Sequence, residues 1–273
     1  MRRHYILDNS ITFKDWKYAL HDARYGFVQQ FAQYHPQNVL ILACGVGLEA
    51  FILSSTVDSP CKIVGIDIDK KSIAYAKEKL NQLQYSNITF KVEDINRFFS
   101  TNTEKFDAVM IMFAIHFFER KKILENVSQI LEPDGIFGVC EWEPNDSLLN
   151  IKHINEIINR YASEGKVLEK AKQFFNMKNK YLYEKDIQNS IVECTLQRVS
   201  HKSKKYSIRY SNLQSYWNFQ KNNELFKRLK QDMLPNNYLQ MIEEIESYVA
   251  LADESEVVFI AKVGNSFYKN QIL

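Results

Sequence analysis

The sequence contains few of the features that mark secreted, membrane-spanning or nucleic-acid-binding chains. Its four cysteines form no CxxC pair and no His/Cys cluster, so neither a disulfide framework nor a metal site is predicted. No apolar stretch approaches the roughly 20 residues that cross a bilayer. The arginines near the start are not followed by an apolar run, so no secretory signal is expected. The formal net charge of +2 is too small to indicate a nucleic-acid partner.

These absences leave the composition of an ordinary globular protein. Hydrophobic residues make up 45% and charged residues 25% of the chain, and 273 residues suit one sizeable α/β domain with an insertion. Cys44, Cys61 and Cys140 lie in or beside apolar segments. We therefore expect buried free thiols, a reducing compartment and a cytoplasmic location, with no bound metal.

The first half of the chain alternates strand-like and helix-like segments. Apolar runs and apolar alternation predict five strands, at 38–44, 61–69, 87–95, 106–118 and 136–142. Helical spacing of apolar residues predicts helices at 11–35, 48–55, 70–83 and 120–131. This order indicates an α/β fold with a doubly wound, mostly parallel, Rossmann-like sheet.

The second half of the chain is more polar. Strands at 194–200 and 257–263 would complete a seven-stranded sheet, and a helix is expected at 181–193. Polar helices at 147–176, and at 211–250 on either side of Pro235, predict a helical lid. The expected division is 1–143 for the N-terminal helix and α/β core, 144–180 and 205–252 for the lid, and 181–204 and 253–273 for the end of the sheet. No Gly- or Pro-rich linker separates these segments, so a single domain is expected.

Two glycines follow the first strand where it turns into a helix. Gly45 and Gly47 let the backbone turn tightly and approach a ligand with no Cβ in the way. Asp67 closes the second strand, 20 residues beyond Gly47, and an acid at that offset can accept hydrogen bonds from ribose hydroxyls. The pattern predicts a nucleotide-like cofactor. A plain turn and a helix N-cap are the alternatives, and Gly45-x-Gly47-x-x-Ala50 also satisfies the dinucleotide pattern.

A further acid ends the third predicted strand. Asp94 should emerge at the same edge of the sheet, where it can accept a hydrogen bond from an adenine amino group. The main-chain amide of Ile95 can then donate to the purine ring. The alternative is a turn residue, since aspartate is common in turns.

Five segments follow one another in order: VLILACGVGLEA, VGIDIDKKSIAYAKEKL, ITFKVEDI, FDAVMIMFAIHFF and ILEPDGIFGVCEWE. Together they resemble the motif set of class I S-adenosylmethionine-dependent methyltransferases. The resemblance covers roughly residues 38–143, and its order and spacing are specific to the superfamily. It implies a Rossmann-like fold, S-adenosyl-L-methionine as cofactor, S-adenosyl-L-homocysteine as product and methyl transfer as the activity.

The resemblance also implies which residues bind the cofactor. The glycine-rich turn would lie under the methionine part, the acid of the second strand and its neighbour would hold the ribose, and the third strand's end would meet the adenine. The loop after the fourth strand would line the sulfonium. In that order, the positions are Ala43, Gly45 and Gly47; Asp67 and Ile68; Asp94 and Ile95; Met112 and Phe113.

Three positions depart from the family pattern. Ile41 stands where the family often has an acid, and Ala43 stands where glycine is common. Asp134 replaces a glycine in a turn that is usually P-x-G-G. The first two departures concern how the methionine end of the cofactor is held, whereas the third belongs to a surface turn.

Five residues are candidates for the substrate side. His116 follows the fourth strand and is the best candidate for a general base, with a structurally hydrogen-bonded histidine as the alternative. Glu141 and Trp142 end the fifth strand and would face the pocket, unless they are a surface carboxylate and a packed indole. Tyr18 and Tyr25 would close over the cofactor, unless their helix face packs on the sheet.

The acceptor is expected to be a small molecule. The loop after the fourth strand lacks the D/N-P-P-Y/F/W signature of methyltransferases that resemble it and act on nucleobase amino groups. The basic, aromatic segment 204–210 is expected to be a strand edge with solvated lysines. No membrane partner is expected, and no oligomeric state is predicted. An NAD-dependent oxidoreductase, a non-methylating enzyme that uses S-adenosylmethionine and a non-catalytic partner subunit stay open as alternatives.

Overall fold

The computed structural model describes residues 6–7, 20–57, 61–143, 152–161, 187, 194–221, 224–252 and 257–271. The chain divides into two compact units. The core unit comprises His21–Trp142, Glu184–Lys204 and Val263–Leu273, and the helical unit comprises Met1–Leu20, Glu143–Tyr183 and Lys205–Lys262. No helix in the described part of the chain is long and apolar enough to span a bilayer.

The described residues form a sheet of eight strands, one of which is the two-residue strand Ile6–Leu7. The seven longer strands are β1 (Asn38–Leu42), β2 (Lys62–Asp67), β3 (Ile88–Val92), β4 (Phe106–Met112), β5 (Leu131–Trp142), β6 (Leu196–Tyr210) and β7 (Val257–Asn270). They lie in the order β6-β7-β5-β4-β1-β2-β3. The first five strands pair in parallel, and β7 runs antiparallel to β5. The predicted doubly wound, mostly parallel sheet is therefore confirmed.

The strand order reverses beside β1, which pairs with β2 on one side and with β4 on the other. The residues from Val39 to Leu42 are at most 1% exposed, as expected for a strand covered on both faces. In doubly wound sheets, ligands bind outside the carboxyl ends of the strands at this reversal. A ligand-binding site is therefore expected at the loops that follow β1, β2 and β4.

Five helices accompany the strands of the core unit: α1 (His21–Ala32), α2 (Leu48–Thr56), α3 (Lys70–Leu83), α4 (Ile95–Thr101) and α5 (Arg120–Ile130). α3 has the bounds that the sequence predicts. α1 packs its aromatic face on β5, where a Cβ at Gly138 would lie 2.7 Å from Cδ2 of Phe31. Glycine at that position therefore allows close helix–sheet packing. Residues 11–19 of the predicted first helix lie outside the described residues.

The last strand continues well beyond its predicted end at 263. The extension GNSFYKN is too polar to be recognised as a buried strand. Asn270 nevertheless is 1% exposed, and its side-chain nitrogen lies 3.3 Å from three main-chain carbonyl oxygens at the α5–β5 junction. These hydrogen bonds offset the free-energy cost of burying the amide. A buried strand can therefore have a polar sequence here, and the sequence pattern alone does not reveal it.

The helical unit contains four described helices, α6 (Lys152–Tyr161), α7 (Leu213–Gln220), α8 (Glu224–Asp232) and α9 (Pro235–Leu251). Two segments differ in detail from the expected elements. β6 runs on from the predicted strand 194–200 to Tyr210, as the strand-edge interpretation of 204–210 expects. Arg209 and Tyr210 pair in parallel with the unpredicted two-residue strand Ile6–Leu7. The segment 211–250 forms three helices rather than two, because the part before Pro235 is divided into α7, which ends at Gln220, and α8, which begins at Glu224. Pro235 begins α9, where its missing N–H costs nothing.

The structure describes only part of the predicted lid. Residues 144–151 and 162–180 lie outside the described residues, as does all of the predicted helix 181–193 except residue 187. In the described part, Trp217 of α7 is fully buried against Phe226 of α8, with ring centroids 5.0 Å apart. This unit therefore has an aromatic core of its own.

Candidate functional site

The two glycines after β1 have different roles. Gly45 and Gly47 both have positive φ angles, of 52° and 80°, which favour glycine. No described atom lies within 4 Å of the Cβ position at Gly45, so the backbone there is open to a ligand. At Gly47 a Cβ would overlap the ring of Phe90, so this glycine is required for packing between α2 and β3. Ala43 adopts φ 50° despite its methyl group.

Asp67 lies directly beside the open glycine. The main-chain N–H of Gly45 donates to Oδ2 of Asp67 at 2.8 Å, and the N–H of Asp69 donates to Oδ1 at 2.8 Å. Asp69 itself caps α3, because its side chain accepts from the amides of Lys71 and Ser72. The N-cap alternative considered for Asp67 is therefore filled by Asp69. The Asp67 carboxylate lies at the carboxyl end of β2, where the sequence predicts it.

An apolar surface accompanies this carboxylate. Ile68 is 68% exposed directly after β2, and Val92, the partner of Asp67 in the β2–β3 ladder, is 42% exposed. They offer a surface on which a flat heterocycle can lie.

Asp94 and Ile95 begin α4. Oδ1 of Asp94 accepts a hydrogen bond from the amide of Arg97 at 3.0 Å, so this residue is an N-cap in the structure. The side chain of Ile95 is only 5% exposed and belongs to the main hydrophobic core. Any contact of Ile95 with a ligand would therefore come from its main chain, as the sequence analysis expects.

Met112 and Phe113 lie at the end of β4, on the other side of β1. Phe113 adopts φ 52° and stacks on Trp142, with ring centroids 4.6 Å apart and planes inclined by 29°. Its main-chain N–H donates to the carbonyl of Cys140 at 2.7 Å, which fixes the loop to β5. Trp142 is thus a packed indole at the carboxyl edge, and Met112 is 7% exposed.

Arg24 is a residue of this edge that the sequence analysis missed. It extends from α1, forms an ion pair with Glu49 of α2, and lies 5.5 Å from the ring centroid of Phe113. One of its terminal nitrogens is 3.9 Å from the sulfur of Met112. Burial lowers the pKa of Arg24 to about 10, which leaves the guanidinium charged at neutral pH. Two signals in the sequence could have pointed to this pair. Arg24 is the single arginine of α1, and Glu49 is an acid within the apolar first turn of α2.

The expectation that Glu141 faces the substrate is corrected by the structure. Glu141 is 3% exposed and forms a two-pronged ion pair with Arg120, in which Nη1 donates to Oε1 at 3.1 Å and Nη2 donates to Oε2. Arg120 begins α5, so the pair ties the start of that helix to the end of β5. The carboxylate is therefore held by Arg120 within the protein.

The other candidates on the substrate side are not brought together. Tyr25 is 43% exposed and stacks on His21, so it lies on the surface of α1. His116 is half-buried in the short 3₁₀ turn Ile115–Phe117, with its ring 4.2 Å from that of Phe117. Its role as a base stays a prediction. Tyr18 lies outside the described residues.

The cysteines that the sequence analysis singled out are buried in the structure. Cys44, Cys61 and Cys140 are buried free thiols, as predicted. Burial raises the pKa of the Cys61 thiol to about 11 and also raises the pKa values of the Cys44 and Cys140 thiols, so all three are neutral at pH 7. No group of His, Cys, Asp and Glu side chains suited to a metal ion occurs among the described residues.

The site and the fold agree with the relationship found by comparison. Residues 36–246 match a family model described as a methyltransferase domain, so the chain belongs to this family. The resemblance to class I S-adenosylmethionine-dependent methyltransferases is thereby confirmed.

Individual relatives are distant. The chain is 25% identical over 157 residues to the ribosomal protein L11 methyltransferase of Aquifex aeolicus, covering 56% of this chain and 61% of that protein. It is 26% identical over 107 residues to the ubiquinone/menaquinone biosynthesis C-methyltransferase of Wigglesworthia glossinidia brevipalpis, covering 39% and 43%. The YcgJ protein of Bacillus subtilis has a similar fold, with a TM-score of 0.51 at 14% identity over 93% of this chain and all of that one. The chain thus spans less than two thirds of the curated relatives that it matches.

Proposed function

We propose that this protein transfers a methyl group from S-adenosyl-L-methionine to a small-molecule acceptor. One observation carries the proposal: the open backbone at Gly45 and the carboxylate of Asp67 are 2.8 Å apart, beside the reversal in strand order. A nucleoside site requires backbone that leaves room for the ligand, which a glycine provides. It also requires a carboxylate that can accept hydrogen bonds from the ribose hydroxyls. The donor set of this edge therefore fits the cofactor that the family implies.

Different residues of the core unit would bind different parts of this cofactor. Asp67 would hold the ribose, and Ile68 and Val92 would contact the purine, which Asp94 and the amide of Ile95 would recognise. Met112 and Phe113 would lie beside the sulfonium. The cofactor, when bound, supplies a methyl group on a positively charged sulfur that a nucleophile can displace.

The protein's own contribution to the transfer is positioning and the exclusion of water. The Phe113–Trp142 stack is a rigid apolar surface, and orientation of two reactants can supply about 7–11 kcal/mol of a barrier. His116 is proposed as the base for an acceptor that must lose a proton, which would add about 10²–10⁴-fold to the rate.

A small-molecule acceptor is proposed from charge and from sequence. The net charge of +2 provides no strong attraction for a polyanion, and the loop after β4 lacks the signature of nucleobase amino methylation. One curated relative is named for a ribosomal protein and another for quinone biosynthesis, so both macromolecules and small molecules are acted on among relatives. The helical lid segments and the cytoplasmic location stay predictions.

Transfer of labelled methyl groups tests the proposal. The protein is incubated with S-adenosylmethionine labelled in the methyl group, together with either the low-molecular-weight fraction or the macromolecular fraction of a cell extract. We expect label in the small-molecule fraction, with a mass gain of about 14 units on the acceptor. Label in RNA or protein alone would contradict the small-molecule acceptor, and no label in either fraction would contradict methyl transfer. An Asp67→Ala variant serves as the inactive control.

A further inference from the structure

The ring of Phe90 in β3 packs against the glycine-rich turn and against β2. Phe90 is 2% exposed, and its partner in the β2–β3 ladder is Gly65. A Cβ at Gly65 would lie 2.8 Å from Cδ1 of Phe90, which is well inside van der Waals contact. A Cβ at Gly47 would overlap Cζ and Cε1 of the same ring. The ring therefore fills the space that the two glycines leave.

Gly47 connects the ring to one half of the proposed nucleoside site. It lies two residues after Gly45, and its φ of 80° favours glycine. Its main-chain N–H donates to the carbonyl of Cys44 at 2.9 Å, which closes the turn around Gly45. Because Phe90 limits where the Gly47 backbone can lie, it also limits where the open backbone at Gly45 lies.

Gly65 connects the same ring to the other half of the site. It lies two residues before Asp67 in β2. Sγ of Cys44 would be 2.9 Å from a Cβ at this glycine, so the turn and β2 are in close contact here. The main-chain N–H of Cys44 also donates to the carbonyl of Ile66 at 3.0 Å. Phe90 thus packs against the strand that carries the Asp67 carboxylate as well as against the turn.

We propose that Phe90 is a positioning residue for the cofactor. Its ring holds the glycine-rich turn and the end of β2 in the arrangement that binds the nucleoside, and it acts through Gly47 and Gly65 rather than by touching the ligand. Phe51 of α2 packs on the ring edge to face, with centroids 5.6 Å apart, which fixes the ring in turn. The inference rests on the proposed function.

Calorimetric titration with S-adenosylhomocysteine tests this role. Phe90→Leu keeps an apolar side chain but leaves part of the ring's space empty, so the turn can shift against β2. We expect the affinity to fall by at least about tenfold, because small displacements of binding groups are costly. Phe106→Leu is the matched control: Phe106 is 1% exposed in the main hydrophobic core, at the start of β4. Its affinity should stay within about twofold of the wild type.

A second substitution separates positioning from general support of the fold. Gly65→Ala alone places a methyl group against the Phe90 ring, so we expect it to weaken binding as well. In the double variant Phe90→Leu/Gly65→Ala, the methyl group enters space that the ring has left. The loss of affinity should therefore be at least about threefold smaller than the product of the two single losses. Recovery is incomplete, because the methyl group also meets Sγ of Cys44.

The outcomes distinguish this proposal from the proposed function. An affinity of Phe90→Leu equal to that of the wild type, or an equal loss in Phe106→Leu, would overturn the positioning role. Single losses that simply multiply in the double variant would also contradict it. A wild-type protein that does not bind S-adenosylhomocysteine contradicts the proposed function itself. Should Phe90→Leu unfold, Phe90→Met and Phe106→Met give the same comparison, because the longer methionine side chain fills irregular gaps.

Discussion

The two sides of the carboxyl edge of the core unit are built from different chemistry. On the β2–β3 side, Asp67 and Asp94 accept hydrogen bonds from main-chain amides. On the β4–β5 side, the Phe113–Trp142 stack and the Arg120–Glu141 pair join side chains from different elements. The first side suits the polar, uncharged groups of a nucleoside. On the second side, a buried ion pair and an aromatic stack connect the ends of the strands to the loops and helices that follow. We therefore expect the first side to bind the nucleoside of the proposed cofactor, and the second side to hold in place the loop that would lie beside its sulfonium.

The largest expected effect is on the β4–β5 side. Arg120→Met leaves the Glu141 carboxylate buried without its partner, and breaking a buried ion pair in this way costs about 3–5 kcal/mol of unfolding free energy. Urea unfolding measures the change. The double variant Arg120→Met/Glu141→Leu should recover much of the loss, because it leaves no unpaired charge. A loss below about 1 kcal/mol for the single variant would show that this side does not depend on the pair.

The next effect concerns the β2–β3 side. Asp67→Ala removes the acceptor for two ribose hydroxyls, so the affinity for S-adenosylhomocysteine should fall by at least about 100-fold, or about 2.7 kcal/mol. Isothermal titration calorimetry measures the affinity. Asp69→Asn is the matched control, since asparagine also caps helices and the ligand affinity should not change. Equal affinities of Asp67→Ala and the wild type would remove the basis of the nucleoside site.

Alkaline pH should weaken the fold as a whole, because three buried thiols belong to the core unit. Burial raises the pKa of Cys61 to about 11 and also raises the pKa values of Cys44 and Cys140. Above about pH 8.5 the unfolded chain loses protons that the native state keeps, so the unfolding free energy falls by about 1.4 kcal/mol per pH unit for each such group. This contribution is complete below that pH and declines as the pH rises.

Urea unfolding at several pH values between about 8 and 10 measures this slope. In a Cys140→Ala variant, the unfolding free energy should decline less steeply with pH, by about 1.4 kcal/mol per pH unit, because one buried thiol is absent. A stability that does not change over this range would mean that the thiols ionise in the native state.

The smallest effect concerns the aromatic stack. A double-mutant cycle of Phe113→Leu and Trp142→Leu should give a coupling of about 0.5–1.5 kcal/mol in unfolding free energy. The same variants should lower the rate of methyl transfer more than the affinity for S-adenosylhomocysteine, since the stack lies on the β4–β5 side. If affinity falls as much as the rate, the separation of tasks between the two sides is wrong.

The same comparison explains how much the sequence could predict. The positions of Asp67 and Gly45 follow from local signals, namely an acid or a glycine at the end of an apolar run, and the doubly wound sheet follows from the alternation of strands and helices. α3 is predicted with its exact bounds, because its apolar spacing and its cap are local as well. The fold, and the positions of Asp67 and Gly45 at the carboxyl edge, could therefore be predicted.

The β4–β5 side could not be predicted in the same way. The Arg24–Glu49 and Arg120–Glu141 pairs each join two residues that are distant in sequence, and no periodicity links such partners. Glu141 at the end of a strand resembles a pocket residue until its partner is known. The polar extension of β7 to Asn270 was missed because hydrogen bonds to carbonyl groups elsewhere make its burial possible.

Direct binding of a sulfur nucleoside tests the central claim. The wild-type protein should bind S-adenosylhomocysteine with a stoichiometry of one in isothermal titration calorimetry, and NADH should produce no heat of binding at the same concentrations. Binding of NADH without binding of S-adenosylhomocysteine would contradict a methyltransferase and indicate an oxidoreductase built on the same glycine turn and the same Asp67.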